Sequence, residues 1–518
     1  MRRLALLLLP LLLLLTACAQ EEFSGEEDTP WYSQVTTPEE EDSPSHRLSR
    51  FALAYHEDQT LDPITCEEGL QFPLASLLYD RLFELDSSFT PQAALCDSWS
   101  VSEDGLTWSL HLRENVLFSD GSTLTAADVV ASIRRAMDSQ RYGERLSGVL
   151  SAVAQGTDTV RLTLRTPNSA LPALLDLPVT KSGTEDALVP VGTGPYLYIT
   201  DGDEAYLTAN SQWWRGSSQP LERIELVNAK DLDTARYLFT AQEIQLLCTD
   251  LTGDSATLTG SLDCADAPTT VMQFIGVNTA HPLLSEAAVR RALSAGIDRQ
   301  EVVDGYLSGH GLGASLPLSP AAGLYPEDLE SAYSYTAFYQ ALRDAGLSAG
   351  ESQTLRLLVN EESAYKVSIA QYLAEKLSQY DLQVTVETLP WDAFLAALAS
   401  GDFDLYYGEI KLTADWDISS LVGTGGSLNY GGWSSADTDA LLASFRTSED
   451  RQAACDALCA HLSQQMPLIP VCFKSVSVLT HSGTVEGLSP TAANAFYGLE
   501  RWSVDIAPAE EAAEESAG

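Results

Sequence analysis

The chain has 518 residues, of which 45% are apolar, so it is long enough for two or three globular domains. Its 73 acidic residues outnumber its 29 basic residues and give a formal net charge of −44. Nucleic-acid binding is therefore not expected, because contacts with phosphate groups need a basic surface. The simplest interpretation of the charge is a solvated acidic surface that keeps the protein soluble.

The N-terminus has the pattern of a secretion signal. Two arginines precede an apolar segment at residues 4–15, which is too short to span a bilayer comfortably. The sequence LTAC at residues 15–18 resembles the bacterial lipobox, in which cleavage leaves a lipid-bearing cysteine. We expect residues 1–17 to be a lipoprotein signal peptide and Cys18 to carry the lipid, which anchors the chain without a spanning helix. An ordinary signal peptide with an accidental cysteine is the alternative.

No later segment is long and apolar enough to cross a membrane. The sequence therefore predicts a location on the outer face of a cytoplasmic membrane, or in a periplasm. Residues 18–47 are rich in acidic residues and prolines, which predicts a disordered tether. Residues 507–518 form a short acidic tail of similar composition.

Seven cysteines follow Cys18, and an odd number leaves at least one of them unpaired. Cys248 and Cys264 could pair across a loop. Cys455 and Cys459 have the i, i+4 spacing of neighbours on a helix, which is poor geometry for a disulfide. A metal site that adds His461 to these two is not favoured, because His461 falls on a different face of that helix.

The folded part is expected to begin near residue 48. Alternation, periodicity and capping residues predict these elements in order. They are a strand at 51–55, a helix at 70–83, a hairpin turn at 103–105 before a strand at 106–112, a helix opened by a capping box at 125–128, strands at 160–164, 207–210, 222–227 and 244–248, and a helix at 233–240.

The middle of the chain predicts a strand followed by a long helix. Residues 271–277 are apolar and β-favouring, as in a buried strand. Ser285 could cap a helix in which Val289, Leu293 and Ile297 recur every four residues. We expect this helix to be a rigid scaffold and the strand before it to bend as a hinge, with the ligand beside the strand.

The clearest strand–helix alternation follows the middle of the chain, and alternation of this kind predicts a parallel sheet covered by helices. The elements are strands at 354–359, 383–389 and 403–407, with helices at 364–379 and 391–399 between them. Two further helices at 437–445 and 451–464 precede a β-rich segment at 468–479.

Several segments, in order, match the signatures of a known family. The chain resembles the extracellular solute-binding proteins of peptide/nickel-type ABC transporters, which include oligopeptide- and dipeptide-binding lipoproteins. The matching segments are ALCDSWSVSEDGLTW at 94–108, LRENVLFSDG at 112–121, LTAADVV at 124–130, VGTGPY at 191–196, GVNT at 276–279, VRRAL at 289–293 and IDR at 297–299. Their order and spacing support the resemblance, which covers the chain from about residue 48 to 502.

The resemblance implies an α/β, two-lobed periplasmic-binding-protein-like (type II) fold with a hinge and an additional inserted subdomain. Ligand would be trapped between the lobes. Residues 271–277 and 468–479 would be the two connections between them. The expected boundaries are 48–62, 190–269 and 480–506 for lobe I, 63–189 for the inserted subdomain and 270–479 for lobe II.

Catalytic motifs do not stand out. The sequence has no H-E-x-x-H motif, and we expect no enzyme, no cofactor and no metal. A metal role for His310 is likewise not favoured. An extracellular hydrolase stays as an alternative, because paired carboxylates arise by chance among 73 acidic residues.

The candidate ligand site follows the strand at 403–407. Ala414-Asp415-Trp416 resembles the family's A-D-Y/W motif, whose aspartate pairs with the α-amine of a bound peptide, and only that role is carried over to Asp415. A surface or capping carboxylate is the alternative for Asp415, and ordinary packing is the alternative for the aromatic residues. Leu412 stands where peptide binders often have an aromatic residue, which leaves the ligand open. The plausible pocket walls are Trp391, Tyr407, Trp416, Asn429 and Trp433.

The sequence therefore predicts a lipid-anchored protein that captures short peptides between two lobes and delivers them to the permease of an ABC importer. Binding of another solute, such as a nickel complex, an opine or a sugar, remains open within the family. The competing classes are an extracellular hydrolase and a peptide-sensing lipoprotein that signals without transport.

Overall fold

A computed structural model describes residues 48–216, 219–252, 258, 260–348 and 350–506 of the chain. The predicted signal peptide, Cys18, the acidic tether and the acidic tail lie outside these residues. In the described part of the chain, every helix is too short or too polar to span a bilayer.

The strands are numbered in chain order. They are β1 (Ala52–Tyr55), β2 (Phe83–Leu85), β3 (Pro91–Ala93), β4 (Cys96–Val101), β5 (Thr107–Leu112), β6 (Val149–Gln155), β7 (Thr159–Leu164), β8 (Tyr196–Asp201), β9 (Glu204–Ala209), β10 (Arg223–Asn228), β11 (Leu246–Thr249), β12 (Leu262–Val277), β13 (Gly311–Gly313), β14 (Gln353–Asn360), β15 (Leu382–Leu389), β16 (Leu405–Lys411), β17 (Leu468–His481), β18 (Val485–Glu486) and β19 (Ser503–Val504).

The α-helices are numbered in the same way. They are α1 (Gln71–Leu78), α2 (Ala126–Asp138), α3 (Leu171–Leu174), α4 (Leu232–Thr240), α5 (Ala287–Ala295), α6 (Arg299–Tyr306), α7 (Tyr335–Asp344), α8 (Ala364–Leu377), α9 (Trp391–Ser400), α10 (Ser419–Val422), α11 (Ala436–Thr447) and α12 (Arg451–Gln465).

The described strands form five sheets, of which β2-β3 and β18-β19 are two-stranded and three are larger. One has the order β1-β10-β9-β8, and an antiparallel sheet has the order β4-β5-β7-β6. The largest is mixed, with the order β11-β17-β12-β16-β14-β15 and with β13 beside β17. Within it β14 pairs in parallel with both β15 and β16, which confirms the predicted parallel alternation.

Helices cover both faces of the largest sheet. On one face Ile275 of β12 and Leu357 of β14 pack with Ile369 of α8. On the other face Phe274 of β12 packs with Phe394 of α9. This alternation along β12 follows from the two-residue period of a strand, and it makes β12 a central element of the sheet.

Two long strands, β12 and β17, run through two separate hydrophobic cores. The C-terminal part of β17 reaches a first core, in which Leu479 packs with Phe239 of α4. Ile275 of β12 and Ile469 of β17 lie in a second core. The pairing of the two strands shifts register between Pro268 and Met272, which places an irregularity between the cores.

Several local predictions are confirmed. The Asp128 carboxylate accepts a hydrogen bond from Thr125 N at 3.0 Å, and the Thr125 side chain accepts one from the backbone N–H of Asp128, as a capping box requires. β4 and β5 form the predicted hairpin, and Gly105 in its turn has φ of +69°. A residue without a Cβ adopts that conformation at little cost.

The predicted long helix from Ser285 is wrong in two respects. Ser285 does not cap the helix, because its hydroxyl donates to Pro282 O at 2.8 Å and Glu286 takes the capping position. The helix also ends at Ala295, and Asp298 caps α6 by accepting a hydrogen bond from Glu301 N at 3.1 Å. A local capping hydrogen bond at Asp298 therefore restarts the helix.

The predicted helix at 70–83 is too long, since α1 ends at Leu78. The residues that follow Leu78 make tertiary contacts and do not continue the helix. The Asp80 side chain is 4% exposed and accepts hydrogen bonds from Thr193 Oγ1 at 2.9 Å and from Trp214 Nε1 at 2.8 Å. These partners are distant in sequence, so helical periodicity could not reveal them.

All the cysteines that the structure describes are free thiols, including Cys248 and Cys264, whose possible disulfide is not formed. Cys455 and Cys459 are neighbours, with their Sγ atoms 3.9 Å apart. The Nε2 atom of His461 lies 2.9 Å from the hydroxyl oxygen of Thr438.

The packing of β12 against β16 gives a first testable prediction. A Cβ added at Gly276 would lie 1.9 Å from the Tyr406 ring, whereas a Cβ at Gly305 of α6 would meet no atom within 4 Å. Gly276→Ala should lower the free energy of unfolding by at least about 1–3 kcal/mol through overpacking. Gly305→Ala should raise it by about 0.5–1 kcal/mol, because alanine favours helix. Urea denaturation of both variants measures these values, and equal effects would contradict the assigned packing.

Asp80 gives a prediction about pH. Burial, reinforced by Glu84 and opposed by Arg215, raises the pKa of the Asp80 carboxyl to about 6. The folded state then binds this proton more tightly than the unfolded chain does. The contribution of Asp80 to stability is therefore full below about pH 4 and is lost as the pH rises through about 6.

Between pH 4 and pH 7, the stability of wild type relative to Asp80→Asn should fall by up to about 3 kcal/mol. Urea denaturation at both pH values measures this change. The exposed residue Asp97 supplies the control, since Asp97→Asn should keep the wild-type pH dependence. A constant difference between wild type and Asp80→Asn would show that Asp80 does not titrate in this range.

Candidate functional site

The candidate site lies where the parallel strands of the largest sheet end. The segment that contains Asp415 follows β16, Trp391 follows β15, and Tyr365 follows β14. Ligands of open α/β sheets bind outside the carboxyl ends of parallel strands, so these side chains occupy the expected edge. β12 pairs with β16, which places this edge beside the strand that joins the two cores.

Asp415 is almost fully buried, with 5% of its surface exposed. Its carboxylate accepts hydrogen bonds from Asn168 Nδ2 at 2.8 Å and from Thr413 Oγ1 at 2.5 Å. Arg451 donates to the backbone oxygen of Asp415, at 2.8 Å, and not to the carboxylate. Among the described residues, neither lysine nor arginine forms an ion pair with this carboxylate.

The surroundings of Asp415 join two distant parts of the chain. The ring of Trp416 contacts Phe89 edge to face, with 5.1 Å between ring centroids. Ser169 N donates to Arg446 O at 2.9 Å. Phe89 and Ser169 belong to the predicted inserted subdomain, so these contacts close the structure over Asp415.

A second polar cluster surrounds Glu409 on β16. Its carboxylate accepts hydrogen bonds from Gln273 Nε2 at 2.9 Å, Tyr365 OH at 2.9 Å and Lys366 Nζ at 3.0 Å. Burial opposes ionisation, but Lys366 and Lys474 together with the Gln273 amide hold the pKa of the Glu409 carboxyl below its ordinary value. This carboxylate is therefore charged at neutral pH and is compensated by two cations.

Lys474 connects the Glu409 cluster to the first core. It lies on β17, and its Nζ is 2.5 Å from a carboxylate oxygen of Asp250, which follows β11. Its ammonium group also lies 5.4 Å from the centre of the Tyr365 ring. The charged groups near Glu409 thus come from elements on both sides of the β12–β17 pair.

The other predicted wall residues occupy different environments. Trp391 is 50% exposed, and its ring stacks on Phe394 with 5.9 Å between centroids. Tyr407 is fully buried, and its hydroxyl donates to Gln273 Oε1 at 2.5 Å. In this conformation Tyr407 therefore acts on the site only through the orientation of Gln273.

Asn429 and Trp433 are not brought together with Asp415. Their loop contacts the opposite end of β12, where Thr279 N donates to Gly431 O at 2.9 Å. Asn429 bonds the backbone oxygen of Trp433 at 2.7 Å, so the two residues stabilise one turn.

Three polar residues near the site were missed from the sequence. Glu409 and Lys366 carry a weak local signal, since one lies near the end of β16 and the other in the first turn of α8 at the same sheet edge. Asn168 carries none, because its partner Asp415 is 247 residues away.

Comparisons with known proteins agree with this architecture. Residues 90–431 match the family model for bacterial extracellular solute-binding proteins, family 5 Middle. A glutathione-binding protein of Escherichia coli K12 is 27% identical over 394 residues, which cover 70% of this chain and 75% of that protein.

Solved structures with less than 25% identity share the fold. A nickel ABC transporter structure from Bacillus halodurans has a TM-score of 0.72 and 19% identity, and the match covers 86% of this chain and 98% of that one. The oligopeptide-binding protein AppA of Bacillus subtilis, solved with a nonapeptide, has a TM-score of 0.57 and 19% identity, with 88% and 99% covered.

The predicted α/β two-lobed fold is confirmed by these neighbours. The family consists of binding proteins and not of enzymes, so the chain is a binding protein. Because the family model matches well over half of its length, the chain belongs to the bacterial extracellular solute-binding proteins of family 5.

Proposed function

We propose that this protein captures short peptides between its two lobes and that Asp415 binds the α-amine of the peptide. One observation supports the proposal: the buried Asp415 carboxylate is held by the Asn168 amide and the Thr413 hydroxyl and forms no ion pair with a cationic side chain among the described residues. A buried carboxylate is costly unless it is paired. A ligand ammonium would add a direct ionic partner to this carboxylate, beyond its electrostatic attraction to Arg451 and Arg145.

The Glu409 cluster provides a second place where a zwitterionic ligand could exchange charges. Glu409 and Lys366 are paired with each other at 3.0 Å and are only partly buried. A ligand carboxylate could pair with Lys366 or Lys474, while a donor group of the ligand would hydrogen-bond to Glu409. Such an exchange keeps every charge paired, which limits the desolvation penalty.

Aromatic residues would complete the pocket. Trp416 and the half-exposed Trp391 lie on the loop and helix that follow β16 and β15, so they are the proposed apolar walls. Tyr407 would support the site through Gln273, and Asn429 and Trp433 would support it from the far end of the sheet.

Ligand binding would favour closure, because one ligand contacts both lobes. We further propose that Cys18 carries a lipid anchor and that the closed form delivers its ligand to the permease of an ABC importer. The lipobox-like sequence at residues 15–18 supports the anchor. The glutathione-binding relative and the peptide-bound structural neighbour support a peptide ligand.

Native mass spectrometry of the purified protein tests the ligand class. We expect a peptide bound one-to-one and recovered intact after incubation. A nickel complex, an opine or a sugar in its place would overturn the peptide proposal, and steady release of cleaved products would indicate a hydrolase.

The role of Asp415 can be measured by calorimetric titration with that peptide and its N-acetylated form. Wild type should bind the acetylated form at least about 30-fold more weakly, because it lacks the ammonium partner of a buried carboxylate. Asp415→Asn should bind both forms with similar affinity.

The nearby Asp417→Asn is the control, because Asp417 lies 3.7 Å from Arg446 and has a cation as its neighbour. It should discriminate between the two peptides as wild type does. Equal affinity of wild type for both forms would contradict the proposed contact between Asp415 and the α-amine.

A further inference from the structure

Three side chains with metal-binding groups meet outside the candidate peptide site. Cys264 and Asp266 are two residues apart on β12 and therefore point to the same side of the strand. His310 lies in the turn before β13. One potential ligand atom from each of the three lies within 4.8 Å of the others.

The distances fit a small coordination sphere. His310 Nδ1 is 3.0 Å from both carboxylate oxygens of Asp266, and Cys264 Sγ is 3.6 Å from Asp266 Oδ1. Around a tetrahedral zinc ion with bonds of about 2.0–2.3 Å, neighbouring ligand atoms are about 3.3–3.8 Å apart. Small side-chain movements would therefore bring the three groups to zinc-binding geometry.

The surrounding structure already orients these groups. Ser477 Oγ donates to Asp266 Oδ1 at 2.6 Å, as an outer-shell partner does at many metal sites. Ser475 N donates to His310 O at 3.2 Å, and β13 pairs with β17, so the turn that carries His310 is held in place. Cys264 is an exposed free thiol and can be reached from solvent.

We propose that Cys264, Asp266 and His310 bind a divalent cation of the zinc type, with water as the fourth ligand. A thiolate, an imidazole and a carboxylate together suit zinc better than magnesium or calcium, which prefer oxygen ligands.

The position of this site gives the cation a structural effect. Cys264 and Asp266 pair with the C-terminal part of β17, which includes Leu479 of the first core. His310 precedes β13, which pairs with residues 472–474 of β17 at the edge of the second core. The cation therefore ties together the two sides of the irregularity between Pro268 and Met272 and resists bending there.

Zinc titration of the full-length, reduced and tag-free chain against a chromophoric chelator tests the site. We expect one zinc ion per chain, with affinity weakened at least about 10-fold in Cys264→Ser and in His310→Gln. Cys248→Ser and His111→Gln are matched controls and should bind zinc as wild type does. This assay needs no peptide, so its result is independent of the proposed peptide binding.

Cobalt substitution provides a second measurement that does not depend on a variant folding well. Wild type loaded with Co²⁺ should show a thiolate-to-cobalt charge-transfer band in the near ultraviolet, and Cys264→Ser should lose it. Absence of binding, absence of the band, unchanged affinity in Cys264→Ser or His310→Gln, or equal weakening in the controls would each overturn the proposal.

Discussion

The pairing of β12 with β17 is the constraint on which the rest of the structure depends. Each strand is continuous in sequence, yet the pair reaches two separate hydrophobic cores. Relative movement of the two cores would therefore deform these strands. The register shift between Pro268 and Met272 interrupts the ladder and is the part that deforms with the least loss of hydrogen bonds.

The location of the candidate site follows from the same pair. Because β16 pairs with β12, the carboxyl end of β16 emerges beside the irregular part of the β12–β17 pair. Glu409 and the Asp415 loop are placed there, whereas the loop of Asn429 and Trp433 contacts the other end of β12. In the proposed capture mechanism, a ligand at this edge would lie beside the strands that connect the two cores.

Sequence analysis succeeded where the physical signal was local. The capping box of Thr125 and Asp128 and the strand–helix alternation after residue 353 depend on neighbours in the chain. Family resemblance pointed to Asp415, but its contact with Asn168 depends on two segments that only the complete fold brings together. Ser285 shows that even a local signal can mislead. It is a suitable capping residue, but its hydroxyl donates to the backbone oxygen of Pro282 instead.

The hydrogen bond between Asn168 and Asp415 has a consequence for selectivity. In the proposed peptide complex, the amide of Asn168 would compete with the ligand for Oδ2 of Asp415. A neutral solute would replace one neutral donor with another and would gain little binding free energy. A cationic group would gain the stronger, charge-assisted bond, so the proposed competition would favour charged amines over neutral mimics of similar shape.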